Sequence, residues 1–261
     1  MGLIASLPEI DKHDQSVFVM HEKSEKLIPL HSHKKGQLSY VEGGIAYITI
    51  YQKTYVVPAR HYFWIPRAVP HVLRLGHSAT VLRSLYFYGE GDDVSPFYGR
   101  LGIYPASELL IQMISYTERW DGLHVLHTDY HFDFLVSLKK LLPEWNNQAL
   151  PIVLPITENE RMLAITGYLS EHTADPITLS SLSEQFHMSD RSMSRMFQTH
   201  LHISFLQYFK TLRMIRAIEL LVKTGKPVAE IAFAVGYDSV ASFSNAFHAL
   251  TQSRPTELRK M

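Results

Sequence analysis

The 261-residue chain contains no cysteine, which excludes disulfide bridges and thiolate metal ligands. It also lacks net charge, since 25 Lys and Arg balance 25 Asp and Glu. From residue 151 onward eleven basic side chains stand against ten acidic ones. Bulk composition therefore carries no electrostatic label of nucleic-acid binding, and any such signal must lie in where particular side chains fall on particular helices. No apolar run approaches membrane-spanning length, and the opening MGLIASLPEIDKHDQ turns polar too early for a signal-peptide core. The expectation is a cytoplasmic protein with no membrane partner. What is present is an ordinary globular composition, 46% hydrophobic and 19% charged, long enough for one large or two modest domains.

The first ninety or so residues read as short strands. Tyr47, Thr49 and Tyr51 alternate with Ala46, Ile48 and Ile50, the period-two pattern of a half-buried strand. Gly43-Gly44 and Gln52-Lys53 stand where turns would separate such strands. The runs Tyr62 to Ile65, Val72 to Leu75 and Val81 to Tyr88 are apolar and rich in aromatic and β-branched residues. Many short strands without intervening helices predict a sandwich or barrel.

After Pro105 the period changes. ASELLIQMISYTERW mixes Leu109, Ile111 and Met113 with helix formers, and Asp129 stands where it can cap a second helix. In that helix Phe132, Leu135, Leu138 and Leu142 share one face. The two helices need a cover, either the barrel itself or a second subunit. PEWNNQALPIVLPIT, residues 143 to 157, holds three prolines and no clear period, and reads as the linker between domains 1–150 and 157–261. The expected class is α+β: an N-terminal β-barrel with two trailing helices, then an all-α domain.

That all-α domain contains an internal repeat. LSEQFHMSDRSMSRMF (182 to 197) matches IAFAVGYDSVASFSNAF (231 to 247). Leu182, Phe186 and Met188 correspond to Ile231, Val235 and Tyr237 at an offset of 49. Met193, Ser194, Arg195 and Phe197 correspond to Phe243, Ser244, Asn245 and Phe247 at an offset of 50. The one-residue difference falls in the turn. Each unit is a short helix, a tight turn and a second helix, the helix-turn-helix plan, at about 178–199 and 227–250. Ser189 is a good N-cap and Asp190 suits the first turn. Gly236 can supply the positive φ of a tight turn, and Asp238 or Ser239 can cap the helix after it. With Met193, Phe197, Phe243 and Phe247 inward, Arg191, Ser192, Ser194 and Arg195 face outward on one helix. Val240, Ala241, Ser242, Ser244 and Asn245 do so on the other. Arginine reads guanine edges, asparagine reads adenine, valine can touch thymine methyls, and short side chains allow close approach to double-stranded DNA. A long helix from Ser204 to about Thr224, with Phe205, Tyr208, Leu212 and Ile215 on its core face, joins the units, and Gly225 is placed to end it. Such a connector would set the two reading helices roughly one DNA turn, about 34 Å, apart.

These motifs, with LRMIRAIELL (212 to 221) and RPTELRK (254 to 260), resemble the AraC/XylS family of transcription activators. The likeness covers most of residues 160 to 261, and Pro255 and Arg259 match the family's closing pattern. Three positions depart from it. His202 and Gln252 stand where glycine commonly follows each recognition helix, and Asn245 stands where an Arg is common. The resemblance implies that the second motif makes fewer strong base contacts and more backbone or shape contacts.

In the first domain, HSHKKGQL (31 to 38) and PRAVPH ending at His71 resemble the two cupin motifs, in which histidines and a carboxylate converge on a metal. His31 and His33 point to one face of a strand, Gln37 takes the carboxylate position, and His71 completes the set. The expected domain is a cupin barrel, a double-stranded β-helix. Within AraC-like regulators such a barrel resembles the effector-binding and dimerising domain, which implies a homodimer and a small-molecule or metal effector. Two readings stand side by side: three histidines holding a divalent ion such as zinc or nickel, with Gln37 a neutral and weaker ligand, or a polar pocket without metal. His61 and His77 read as surface residues, and Tyr40, Tyr62 and Trp64 as core.

The function these features predict is a ligand-responsive, sequence-specific transcription regulator, not an enzyme. The alternative is a cupin metalloenzyme, an oxygenase or isomerase with a helical appendage. It is disfavoured by Gln37 and by the lack of an evident catalytic base near the histidines.

Overall fold

The computed structural model describes residues 3–23, 26–76, 80–145, 149–150 and 152–259. In chain order the first elements are α1 (Leu3–Ile10), β1 (Ser16–Glu22), β2 (Leu27–His31), β3 (Gly36–Glu42), β4 (Ile45–Ile50) and β5 (Lys53–Pro58). They are followed by β6 (His61–Ile65), β7 (His71–Leu75), β8 (Val81–Phe87), β9 (Gly102–Pro105), α2 (Glu108–Tyr116), β10 (His124–Leu126) and α3 (Phe132–Trp145). Then come β11 (Val153–Pro155), α4 (Glu160–Glu171), α5 (Leu179–Gln185), α6 (Asp190–Leu201), α7 (Phe205–Lys223), α8 (Val228–Ala234), α9 (Val240–Thr251) and α10 (Pro255–Arg259). The chain divides into two units, in the main residues 1–51 with 57–151, and 52–56 with 152–260.

In the first unit one antiparallel sheet runs β10-β1-β8-β3-β6-β9, while β4, β7 and β2 adjoin in another. β1 to β4 alternate between the sheets, as do β6 to β8, so the neighbours of β1, β3, β6 and β8 in the first sheet are remote in sequence. This is the connectivity of the double-stranded β-helix expected from the motifs.

Period-two reading fails to reveal one thing about this unit. Val17, Val19, Leu38, Tyr40, Tyr62, Trp64, Leu85 and Phe87 lie on one face of the first sheet and pack with Leu110 and Ile114 of α2 and Leu135, Leu138 and Leu142 of α3. Their alternates Phe18, Gln37, Ser39, Phe63, Ser84 and Tyr86 are buried on the opposite face. Because both faces are covered, strands such as β1 and β6 are buried along their whole length. Each buried Leu in the α3 stripe contributes roughly 1.5–3 kcal/mol. Of the two covers considered for α2 and α3, the sheet is the one the structure supplies.

Several local expectations are corrected. His61 is fully buried, with Nδ1 donating to Ala59 O at 2.9 Å, because β6 is enclosed on both faces. His77 lies outside the described residues. Tyr51 leaves the alternation: it sits in the β4–β5 turn at φ 52 and is exposed. Asp129 does not cap α3; its carboxylate accepts from Leu126 N at 2.7 Å. The stretch expected as a linker is partly ordered, since α3 continues through Pro143 to Trp145 and Val153–Pro155 pairs with Lys53–Tyr55.

In the second unit α7 is the central pillar, capped by Ser204 and burying Phe205, Tyr208, Leu212 and Ile215 as expected. It ends at Thr224 in extended backbone (φ −134), without a left-handed glycine at 225. Met162, Ile165 and Leu169 of α4, Leu182 of α5, Met193 and Phe197 of α6, and Phe205 to Leu212 of α7 form one core. α8 and α9 pack against α7.

Candidate nucleic-acid interface and candidate metal centre

The sequence repeat reappears bond for bond. In the first motif Phe186 N donates to Leu182 O, His187 N to Glu184 O and Met188 N to Ser183 O, at 3.2, 3.1 and 2.9 Å. In the second, Val235 N donates to Ile231 O, Gly236 N to Phe233 O and Tyr237 N to Ala232 O, at 3.1, 3.0 and 3.0 Å. Both turns need one left-handed residue. Gly236 adopts it at φ 79, while His187 adopts it at φ 51 in the first motif, a conformation that costs a residue with a Cβ roughly 1–2 kcal/mol.

The second helices start alike. Ser189 Oγ accepts from Ser192 N at 3.2 Å and donates to Ser192 Oγ at 2.9 Å. Ser239 does the same for Ser242, at 3.1 and 2.9 Å. Such an N-cap stabilises a helix by about 1 kcal/mol. It also engages the hydroxyls of Ser192 and Ser242, two residues expected only to face DNA. The helices finish alike too: His202 and Gln252 take φ 55 and 54 and bond back to Gln198 O and His248 O. The left-handed C-cap is thus kept where glycine is absent. The recognition helices extend to Leu201 and Thr251, a little beyond the expected motif ends.

These caps fix a rotation. Met193, Phe197 and Leu201 are buried on α6, and Phe243, Phe247 and Thr251 on α9. Arg191, Ser194 and Arg195 are exposed on α6, with Ser192 half-buried. On α9 Val240, Ala241, Ser242 and Asn245 are exposed and Ser244 is half-buried. Among the described residues, neither Arg191 nor Arg195 has a side-chain hydrogen bond or ion pair, so both guanidinium groups are available to a ligand. Helical spacing adds two residues that the motif comparison passed over: exposed Gln198 and His248 follow Arg195 and Asn245 by three positions on the same faces.

Arg213 of α7 was also missed. Its Nε donates to Thr173 O at 2.9 Å and its Nη2 to Asp175 O at 2.7 Å, with the guanidinium 4.3 Å over Phe209. A Cβ on Gly236 would stand 2.5 Å from the same Nη2. Arg213 therefore ties the loop before the first motif to the turn of the second. A basic residue on a long amphipathic helix gives no sequence signal of that role.

In the first unit, strand pairing brings the predicted ligands together. His31 and His71 are direct partners across β2 and β7, their rings 4.2 Å apart, and His33 lies 5.2 Å from His71. One ligand atom from each of the three lies within 4.8 Å of the others. Nitrogens sharing one zinc ion at about 2.1 Å sit roughly 3.4 Å apart, so small ring rotations are needed.

The protonation pattern suits a cation. Nδ1 of His31, His33 and His71 meets the carbonyl oxygens of Pro29, Lys35 and Val69 at 2.8, 2.5 and 2.8 Å. A carbonyl only accepts, so each Nδ1 carries the proton and each Nε2 keeps its lone pair. Nε2 of His31 and of His71 is buried with no partner. Burial is the main force holding all three imidazoles below their ordinary pKa, His71 at about 3, so they are neutral near pH 7.

Gln37 joins this set. Its Oε1 stands 3.1 Å from His33 Nε2 while its Nε2 donates to Ser39 Oγ at 2.8 Å, and Ser39 Oγ meets Ser84 Oγ at 2.7 Å. With Nδ1 donating to Lys35 O, a neutral His33 ring turns its Nε2 lone pair toward Gln37, where either the amide NH2, with the amide turned over, or a cation can meet it. The donor set of three imidazole nitrogens and an amide oxygen fits a zinc- or nickel-type ion. Tyr86, cross-strand partner of Gln37 with its ring 5.1 Å from His33, was not foreseen. Only the pairing of β3 with β8 reveals it.

Comparison with known proteins gives two domain matches. Residues 20–142 match the AraC-like ligand binding domain, and residues 182–261 match a helix-turn-helix domain. The chain is 26% identical over 245 residues to the HTH-type transcriptional regulator NimR of Escherichia coli (strain K12), covering 92% of this chain and 86% of that protein. It is 30% identical over 105 residues to the HTH-type transcriptional activator RhaS of Salmonella schwarzengrund (strain CVM19633), covering 40% of this chain and 38% of that one. Among solved structures, ToxT from Vibrio cholerae aligns over 94% of this chain and 97% of its own, at 12% identity and TM-score 0.39. The C-terminal domain of AraT from Geobacillus stearothermophilus aligns over 39% of this chain and 85% of its own, at 34% identity and TM-score 0.38.

Proposed function

We propose that this chain, whose two parts match an AraC-like ligand binding domain and a helix-turn-helix domain, is an AraC-family transcription regulator that reads DNA with α6 and α9 while a ligand held between the strands sets its activity. It is a regulator, not a cupin oxygenase or isomerase: NimR and RhaS, to which it is similar, are transcription regulators.

The observation that carries the DNA-reading proposal is the pair of unpartnered guanidinium groups on α6. The opposite face of that helix is fixed in the core by Met193 and Phe197. Arg191 and Arg195, with Ser192 and Ser194 between them, enter one major groove. Val240, Ala241, Ser242, Ser244 and Asn245 of α9 enter the next, roughly one DNA turn away. Arg195→Ala tests this. Loss of about 10- to 100-fold on cognate DNA, with little change on random DNA, supports base reading. Equal loss on both places Arg195 on phosphate.

Residues 1–150 are assigned to effector binding and dimerisation and residues 157–261 to DNA binding. The assembly is a homodimer on repeated or palindromic half-sites. In the first domain His31, His33, His71 and Gln37 hold a divalent ion of the zinc or nickel type, supported by the two buried imidazole nitrogens that lack a partner. Elemental analysis of the full chain, with and without His31→Ala and His33→Ala, tests this: about one ion per chain, lost in the variant, is the expected result. The proposed location is the cytoplasm; among the described residues no helix is long and apolar enough to cross a membrane.

A further inference from the structure

The charge of the histidine cluster carries an inference about what the barrel binds. Every donor in the cluster is neutral: three imidazoles protonated on Nδ1, and the Gln37 amide. Among the described residues no carboxylate joins the group. Two acidic side chains that act on its members or neighbours stand outside the group. Asp11, which acts on His33 through its charge, is held by Lys34 N at 3.0 and 2.8 Å, and Glu22 lies buried on β1 toward Tyr86.

A divalent ion here would keep both of its positive charges in a site screened from water, where an uncompensated charge costs several kcal/mol. The three imidazoles leave the fourth position of a tetrahedral ion to the weakly ligating Gln37 amide or to an exogenous donor that displaces it. Beside the cluster stands a hydrogen-bond donor in need of an acceptor. The hydroxyl of Tyr86, near Ser84 but without a hydrogen bond of ordinary geometry, is completely buried.

We propose that the effector of this regulator is a small anionic donor, of the carboxylate class, that binds as an exogenous ligand on the metal held by His31, His33 and His71, with Tyr86 donating to it. This rests on the metal reading above. The step is ligand exchange: the anion replaces water on the ion, and no electron moves.

Cobalt(II) loaded into the full chain reports both levels, because its visible absorption responds to each change of ligand. Azide and acetate serve as anionic probes and free imidazole as a neutral one. The expected result is about one cobalt per chain, absent in His31→Gln and in His33→Ala, with a spectrum that azide and acetate shift. In Gln37→Glu cobalt should stay bound, while its azide affinity falls about tenfold because the new carboxylate supplies the missing charge. Cobalt bound at the histidines with a spectrum indifferent to both anions overturns the inference and leaves the metal site standing. A shift by imidazole but not by anions, or unchanged azide affinity in a folded Gln37→Glu protein, overturns the charge argument likewise. No cobalt bound by the wild type overturns the metal reading, and the inference falls with it.

Discussion

His31 and His71 are paired directly across β2 and β7, with rings 4.2 Å apart, and each leaves a buried Nε2 without a partner. Two buried acceptors facing one another are a cost in the ligand-free fold, of about 1–3 kcal/mol per unsatisfied group. An ion that binds only the folded chain removes that cost. Zinc or nickel added to metal-free protein should therefore raise its melting temperature, and free ion at a hundred times its Kd should add about 2.7 kcal/mol. The His31→Ala, His71→Ala double variant should show no such shift. An equal shift in that variant would place the ion elsewhere.

Acid should weaken the fold through histidines outside the cluster. His124 Nε2 donates to Glu9 O at 2.8 Å, and Nδ1 lies 2.9 Å from Ser16 Oγ, a hydroxyl that already donates to His13 O. Burial, then the Lys35 charge, holds His124 at about 4, and burial followed by Arg83 lowers His21. Between pH 6.5 and about 4 the unfolded chain takes up protons that the folded one refuses. The unfolded state then binds more protons, and stability falls as pH falls. The urea midpoint should be lower at pH 5 than at pH 7, and His124→Gln should flatten that difference. A midpoint that rises on acidification would contradict the assigned protonation states.

The turn of the second motif adds to the left-handed backbone it shares with the first a lack of room for a Cβ. Gly236 has φ 79, and a Cβ there would lie 2.5 Å from Arg213 Nη2 and 2.8 Å from the backbone oxygen of Ala174. A guanidinium can swing aside, but a carbonyl in the chain is costly to move. Gly236→Ala should destabilise the protein by about 2 kcal/mol or more through left-handed strain plus the clash. Gly225→Ala is the control, because nothing lies within 4 Å of its Cβ position and its φ is not positive. It should change stability by no more than about 0.5 kcal/mol. Urea denaturation of both variants decides the matter, and similar midpoints would mean the turn tolerates a side chain.

Legibility in the sequence followed the range of the interaction. The helix-turn-helix units could be read because their signals are local: Ser189 four residues before Met193, Ser239 four before Phe243, and Gly236 at the turn. His31, His33, Gln37 and His71 could be nominated because three of the four lie within seven residues of each other. What could not be read depends on long-range pairing. The alternation of Tyr47, Thr49 and Tyr51 suggested one wet face, yet α2 and α3 cover the outside of the neighbouring sheet and His61 ends up enclosed. Tyr86 reaches the histidines only because β8 pairs with β3, and Arg213 finds its carbonyl partners some forty residues upstream.

Arg195 and Asn245 occupy equivalent positions on α6 and α9, and both are exposed. Their chemistry differs: a guanidinium can grip guanine O6 and N7 with charge-assisted bonds, while an amide grips adenine N6 and N7 without charge. Arg195 also adds a phosphate-attracting field that Asn245 lacks. Arg195→Ala should therefore cost about 1–3 kcal/mol on cognate DNA and flatten its salt dependence, whereas Asn245→Ala should cost less and leave the salt slope alone. Titrations at two salt concentrations, on cognate DNA and on sites with each half scrambled in turn, separate the contributions. If Asn245→Ala costs as much as Arg195→Ala, the second motif reads bases as strongly as the first, and the asymmetry inferred from this pair is wrong.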